Sequence, residues 1–257
     1  MCELLGMSAN VPTDITFSLT GLMQRGGRTG PHRDGWGVAL YEGRGIHLFK
    51  DSMPGADSEV ARMIQGYPLK SCIVIAHIRH ANVGSVNLAN THPFIREMGG
   101  RYWCFAHNGQ LKDFAPEPGL FRPVGETDSE AAFCHLLNQV RCEFPESVEI
   151  EALLPTLVSV CDGYRQFGVF NTLLSNGEWL FTFCSSKLAH ITRRAPFGPA
   201  HLKDAEVTVD FKAETTPDDV VTIIATEPLT ENETWTLYEP GEWKVWRDGE
   251  IIMQGRV

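Results

Sequence analysis

Three stretches of this chain are built on apolar runs: SCIVIAHI at 71–78, YWCFAHNG at 102–109 and DDVVTIIAT at 218–226. Each has the length of a strand, and an apolar run of that length reads as a strand buried on both faces. The first two end in polar groups, His77 to His80 and His107 to Gly109. A buried strand that ends this way delivers side chains into a site.

The order of elements supplies the cover such strands need. ELLGMSA at 3–9 predicts a short buried strand, and TFSLTGLMQRG a short helix ending in glycine. RGGRTGPHRDGWG at 25–37 is too rich in Gly, Arg and Pro for a regular element and reads as a surface loop. WGVALYEG and GIHLFKD predict a hairpin. DSEVARMIQGY predicts a helix capped by Asp57. NVGSVNLANTHPFIREMGG, between the first two apolar runs, reads as a long irregular and therefore functional connection. ETDSEAAFCHLLNQV predicts a helix with a Thr127–Glu130 capping box and an apolar face of Ala131, Phe133, Leu136, Leu137 and Val140. ESVEIEALLPTLVSVC predicts a second helix, complicated by Pro155. GVFNTLLSN and EWLFTFCSS predict another hairpin, and the last 24 residues, with turns at EPGE and RDGE, a terminal meander. Strands, two central helices and further strands suit two sheets with helices stacked against them, an α+β arrangement.

At 257 residues the chain suits one large domain, and no linker or repeat divides it. The net charge of -10 argues against a nucleic-acid partner. No stretch approaches the eighteen apolar residues of a membrane span, and the N-terminus lacks the pattern of a signal peptide. Arg25, Arg28 and Arg33 punctuate a loop rather than form a transit helix. Seven cysteines, an odd number with no CxxC, speak against a disulfide framework and for a reducing cytoplasm. Most sit in apolar runs and read as small core residues.

Cys2 is different, because removal of Met1 would give it a free α-amine. That amine has an ordinary pKa of about 7.7–8.0, so it is a usable base beside its own thiol. A nucleophile of this kind attacks a carbonyl and forms a thioester. Asn108 and Gly109 suit the oxyanion, one through its carboxamide and one through a backbone N–H open to close approach. Asn-Gly by itself equally predicts a hairpin turn. Arg79 suits a carboxylate in a bidentate fork and Asp128, at a helix start, an ammonium. Singly, each reads as well as a structural ion pair or a helix-dipole residue. Jointly they describe a pocket for an α-amino acid with an electrophilic side chain. A metal reading is weaker: His77 and His80, three apart, fall on opposite faces of a strand, and HExxH is absent. The loop at 25–37 lacks the ending of a phosphate-binding loop.

MCELLGM, DGWGVA, AHIRHA, NTHPF, HNG and GETDSE occur in the order found in the class II glutamine amidotransferases, and the chain resembles that family. It is most similar to the small stand-alone bacterial members made of the glutaminase domain alone. The resemblance implies a four-layer αββα sandwich of the N-terminal-nucleophile hydrolase type, over a single domain at 2–257 with Met1 removed. It implies Cys2 as nucleophile with its amine as base, Asn108 and Gly109 as oxyanion hole, Arg79 on the glutamine α-carboxylate, Asp128 on the α-ammonium, and His92 in a supporting role. The loop at 25–37 would be the mobile cover of the pocket. Where synthase-linked members carry Arg-Trp-Ala-Thr-His, this chain has RHANVG. Asn82 replaces the threonine and can still bond a carboxylate, but the change argues against the sugar-phosphate and purine enzymes.

The expected reaction is hydrolysis of the glutamine side-chain amide to glutamate and ammonia, with no cofactor, no metal, no membrane and no nucleic acid. The terminal strands leave no room for a synthase domain, so ammonia would pass to a separate synthase subunit or simply be released. Three alternatives remain open on the residues: a hydrolase of larger γ-glutamyl amides, a non-catalytic glutamine-binding regulatory domain, and a metallohydrolase.

Overall fold

The structure is a computed structural model and describes residues 2–257 apart from 68, 147 and 212–215. Met1, whose removal the sequence reading requires, lies outside the described residues. In chain order the elements are β1 (Glu3–Asp14), α1 (Thr16–Arg25), β2 (Trp36–Glu42), β3 (Gly45–Asp51), α2 (Glu59–Gln65), β4 (Lys70–Ile78), β5 (Phe94–Met98) and β6 (Arg101–Leu111). Then come α3 (Asp128–Glu143), α4 (Ile150–Tyr164), β7 (Gly168–Ser175), β8 (Leu180–Phe183), β9 (Ala189–Arg194), β10 (Pro199–His201) and β11 (Thr208–Asp210). The chain closes with β12 (Val220–Ala225), β13 (Thr236–Leu237), β14 (Glu242–Arg247) and β15 (Glu250–Arg256).

Two large antiparallel sheets face each other. The first has the order β13-β9-β12-β1-β4-β2-β3 and the second β15-β14-β8-β7-β6-β5. Alternation along β1 explains why both faces are apolar: Leu4 points between the sheets, whereas Leu5 and Met7 point to the helical side. On β4, Ile73 and Ile75 fill the space between the sheets, and Val74, Ala76 and Ile78 face α1 and α2. The outer face of the second sheet is covered by α3 and α4, through Phe133, Leu136, Leu137, Leu153 and Leu157 against Phe105 and Phe170. Each fully buried aliphatic or aromatic side chain contributes about 1.5–3 kcal/mol. The result is helices, sheet, sheet, helices: the expected αββα sandwich.

Several local expectations are corrected. The cap of α2 is Ser58, whose side chain accepts from Ala61 N–H at 3.2 Å, because Asp57 is used in a turn onto Pro54. Thr127 does cap α3 through Glu130 N–H. Glu130 does not reciprocate; its carboxylate is buried and takes Arg96 and the Gly125 N–H instead. A buried carboxylate needs a cation more than one further cap bond. Ala132 rather than Ala131 belongs to the core. α4 runs through Pro155 on its exposed side, where the carbonyl that loses its partner can meet water. The connection at 82–100 is less irregular than expected, since β5 pairs with β6 along its whole length. The terminal strands form no single meander. β13 joins the first sheet beside β9, and the chain crosses at Gly241 to build β14 and β15 in the second. Among the described residues no helix is long and apolar enough to cross a membrane.

Candidate active site

Cys2 immediately precedes β1, the strand flanked by β12 and β4 at the centre of the first sheet. Glu3 pairs with Ile78 at the end of β4, so Cys2 meets the residues that follow that strand. Its Sγ lies 3.3 Å from the His80 N–H, which donates to it, and 3.5 Å from the His80 carbonyl, to which it donates. Burial pushes the thiol up to about 11, with the His80 backbone bond pulling the other way. At neutral pH the sulfur therefore carries its proton and needs a base to act. The neighbouring Glu3 is fixed by Arg25, which also bonds Asp204 and the carbonyls of Glu227 and Pro228. Arg25 is buried and holds the start of β1; the sequence reading placed it merely in a surface loop.

Arg79 extends β4 by one residue, its N–H donating to Gly35 O at 2.8 Å. The guanidinium is buried and donates to the carbonyls of Ser85, Val83 and Gly84 at 2.9, 2.9 and 3.1 Å. The turn is held from the other side by Asp34, whose carboxylate accepts from Ala81 N–H at 2.7 Å. The cation is thus held rigidly by direct bonds to neutral carbonyls, with the Asp34 charge acting on it only at longer range. Asn82 is exposed at the rim.

Asp128 is the first residue of α3, and Leu111 N–H donates to its Oδ2 at 2.6 Å. Asn108 and Gly109 are inside β6, opposite Asn171 and Phe170 of β7, so Asn-Gly makes no turn here. A Cβ at 109 would stand 1.7 Å from Val169 O and 2.6 Å from His107 Nε2. Only glycine lets the strands pair at that point. Asn108 is fully buried, and its side chain crosses between the sheets to Thr226 Oγ1 at 3.3 Å.

At the cleft wall three buried histidines meet, His92 and His107 lining it and His77 behind them. His77 and His92 stack at 4.1 Å, and none of their ring nitrogens has a hydrogen-bond partner. His107 is held by Ser129 Oγ at 2.8 Å and Val169 O at 3.0 Å. Burial, reinforced by their mutual proximity, holds His77 and His92 well below the usual 6.5; burial lowers His107 as well, opposed by Asp128. All three are therefore neutral at pH 7. A histidine kept neutral by the fold takes up its proton more readily when unfolded. Stability is therefore complete above pH 6.5 and falls as pH drops below it, by about 1.4 kcal/mol per pH unit for each such histidine. Urea unfolding at pH 7.5 and 5.5 should give a loss of roughly 2–3 kcal/mol at the lower pH from His77 and His92, before ordinary carboxylates titrate. A flat profile over that range contradicts the neutral cluster.

One cleft of about 350 Å³, open mouth included, is lined by Cys2, Arg79, Asn82, His92, Gly109 and Asp128 together with His107 and Gln110. The structure thus brings together every site residue read from the sequence except Asn108, which lies buried behind the wall. The reading missed Arg25, Asn171 and Thr226. Asn171, a lone amide inside the apolar run GVFNTLL, was the one local signal. Among the described residues no group of three or more His, Cys, Asp or Glu side chains is arranged to hold a metal ion.

The model of the family described as "Glutamine amidotransferases class-II" matches residues 1–257. YafJ of Escherichia coli strain K12, which carries a provisional glutamine amidotransferase name, is 57% identical over 98% of this chain and 100% of its own. A crystal structure of a predicted glutamine amidotransferase from Pseudomonas aeruginosa PA01 is 68% identical, with a TM-score of 0.81 over 98% of this chain and 100% of that one. The glutamine phosphoribosylpyrophosphate amidotransferase of Bacillus subtilis is 15% identical with a TM-score of 0.54; 99% of this chain overlies 49% of it, a likeness of fold alone.

Proposed function

This chain belongs to the class II glutamine amidotransferases, and we propose that it hydrolyses the side-chain amide of glutamine through a thioester on Cys2, as a single domain from which Met1 has been removed. The observation that supports this reading is the one cleft lined by Cys2, Arg79, Gly109 and Asp128. In it Arg79 receives the α-carboxylate, aided by Asn82, and Asp128 receives the α-ammonium. His92, neutral and packed against His77 and Phe94, shapes the wall.

The Cys2 thiol gives its proton to its own α-amine, and the thiolate attacks the amide carbon. The oxyanion is met by the Asn108 carboxamide and the Gly109 N–H. As the intermediate collapses the C–N bond breaks, and the amine's proton leaves on ammonia. Water then attacks the thioester, the amine takes its proton, and a second collapse frees glutamate and returns the proton to sulfur. The ammonia passes to a separate synthase subunit or into solvent.

A larger γ-glutamyl amide is the second reading. The cleft shares Val83, Gln110, Thr127 and Asp128 with a broader groove that runs along Lys112 to Ala115, and this gives room for a bigger substrate. A panel of glutamine, glutamate and γ-glutamyl amides, read by ammonia and product release, decides between them. Preference for glutamine upholds the first reading, preference for a bulky amide the second, and turnover of neither overturns both.

Asp128→Asn removes a charge from the proposed ammonium site but keeps its size. The expected result is a KM for glutamine raised about 10- to 100-fold with kcat changed little, because a charge-assisted hydrogen bond is lost from bound substrate and transition state alike. An unchanged KM would remove Asp128 from substrate recognition.

A further inference from the structure

Asn108 is held at its backbone and undetermined at its tip. Asn171 donates to the Asn108 carbonyl at 3.1 Å, and its own Oδ1 accepts the N–H groups of Ser185, Ser186 and Lys187 at 3.0, 3.0 and 3.1 Å. The strand cannot shift without breaking that cluster, so the remaining freedom is a half-turn of the carboxamide. With its nitrogen toward Thr226, the hydroxyl oxygen accepts twice, from Asn108 and from Leu4 N–H at 2.9 Å, and neither bond uses the hydroxyl's own proton. Asn108 Oδ1 is then buried without a partner. A buried acceptor in that condition is rare.

The two ends of a carboxamide have the same shape, and the surrounding network decides which is which. Turning the group by half a rotation satisfies Asn108 Oδ1 and gives the Thr226 proton an acceptor, and it moves the unpaired group to the Asn108 NH₂. Thr226 still accepts from Leu4 N–H, and its proton now goes to Asn108 Oδ1. The Asn108 NH₂ takes the position from which Oδ1 has moved, with no acceptor in the free enzyme. We propose that Thr226 is a positioning residue: the chain of bonds from Leu4 N–H through the Thr226 hydroxyl to Asn108 Oδ1 turns the carboxamide so that it presents N–H to the oxyanion. This rests on the reading of Asn108 as an oxyanion donor. Leu4, on β1, lies two residues from Cys2, so the segment that positions the nucleophile also sets the orientation of the donor. The developing oxyanion supplies the acceptor that the resting site lacks, which is the condition for preorganised stabilisation.

The test compares Thr226→Val and Thr226→Ser with the wild type, using glutamine hydrolysis and alkylation of Cys2 by iodoacetamide. Alkylation displaces iodide and forms no oxyanion, so it reports the thiol alone. Thr226→Val should lower kcat about 10- to 100-fold, short of the effect of losing a donor outright. KM and the alkylation rate should stay within about threefold, and Thr226→Ser should restore kcat. Wild-type kcat in Thr226→Val overturns the proposal, as does a Thr226→Ser variant equally slow or an alkylation rate that falls in step. Thr226→Ala carries the same expectation if the valine variant does not fold. Failure of both to fold assigns the hydroxyl a structural role and overturns it too. If the wild type turns over neither glutamine nor a γ-glutamyl amide, it is the functional reading that fails, before any variant is made.

Discussion

Cys2→Ala should lower ammonia release from glutamine by at least about four orders of magnitude while leaving glutamine binding intact. The size of the loss follows from the covalent route, because without the sulfur no thioester forms and the remaining groups only bind and polarise the amide. Binding survives because the groups proposed for it belong to other elements. Arg79 is fixed by three carbonyls of the 83–85 turn, and Asp128 by Leu111 N–H at the head of α3. The other cysteines cannot substitute, because none of them lines the cleft. Cys104 and Cys161 are fully buried in the cores with thiols pushed far up by burial, and Cys142 is exposed near the end of α3. Calorimetric titration with glutamine beside an ammonia assay checks both halves of the expectation. Residual activity above about 1% would mean that the chemistry runs through another group.

Gly109→Ala has the largest expected effect on the fold. The new methyl carbon would start 1.7 Å from the Val169 carbonyl oxygen and 2.6 Å from His107 Nε2, and the first of these is backbone. The strands must part where β6 pairs Gly109 with Phe170, and His107 must give up its bond to the same carbonyl. Overpacking of this severity costs about 3 kcal/mol or more. For a chain of this size that corresponds to a melting temperature lower by roughly 6–12 °C. The displacement also moves the N–H proposed for the oxyanion, so the part that folds should lose at least about 100-fold in kcat. Scanning calorimetry and kinetics on the folded fraction read the two effects separately. A variant with the wild-type melting temperature would contradict the close approach seen at this position.

The features that were legible in the sequence are those carried by local pattern. The apolar runs of β4, β6 and β12 require cover on both faces, and the sandwich provides it. The capping role of Thr127 and the hairpins β2–β3 and β7–β8 are likewise short-range. What local pattern misjudged was decided by distant partners. Asn108-Gly109 has the composition of a turn, yet β7 pairs with it throughout and keeps it in a strand. Glu130 leaves its cap because Arg96, 34 residues away, reaches it in a buried place. The last strands divide between two sheets, a choice made by which edge is open rather than by their alternation. At the site, order along the chain marked Cys2, Arg79, Asn82, His92, Asn108, Gly109 and Asp128 as candidates. It gave no hint of Arg25, which meets Glu3 and Asp204 only after folding, or of Thr226, whose partner Asn108 is 118 residues away.

The proposed nucleophile is Cys2 acting with its own α-amine. Intact-mass spectrometry of the active enzyme, before and after a chloroketone analogue of glutamine, tests it most directly. The predicted spectrum shows a chain lacking Met1 that gains one adduct, mapped to Cys2, as ammonia release is lost in proportion. A chain that keeps Met1 and is fully active, or an adduct that inactivates at another residue, would contradict it.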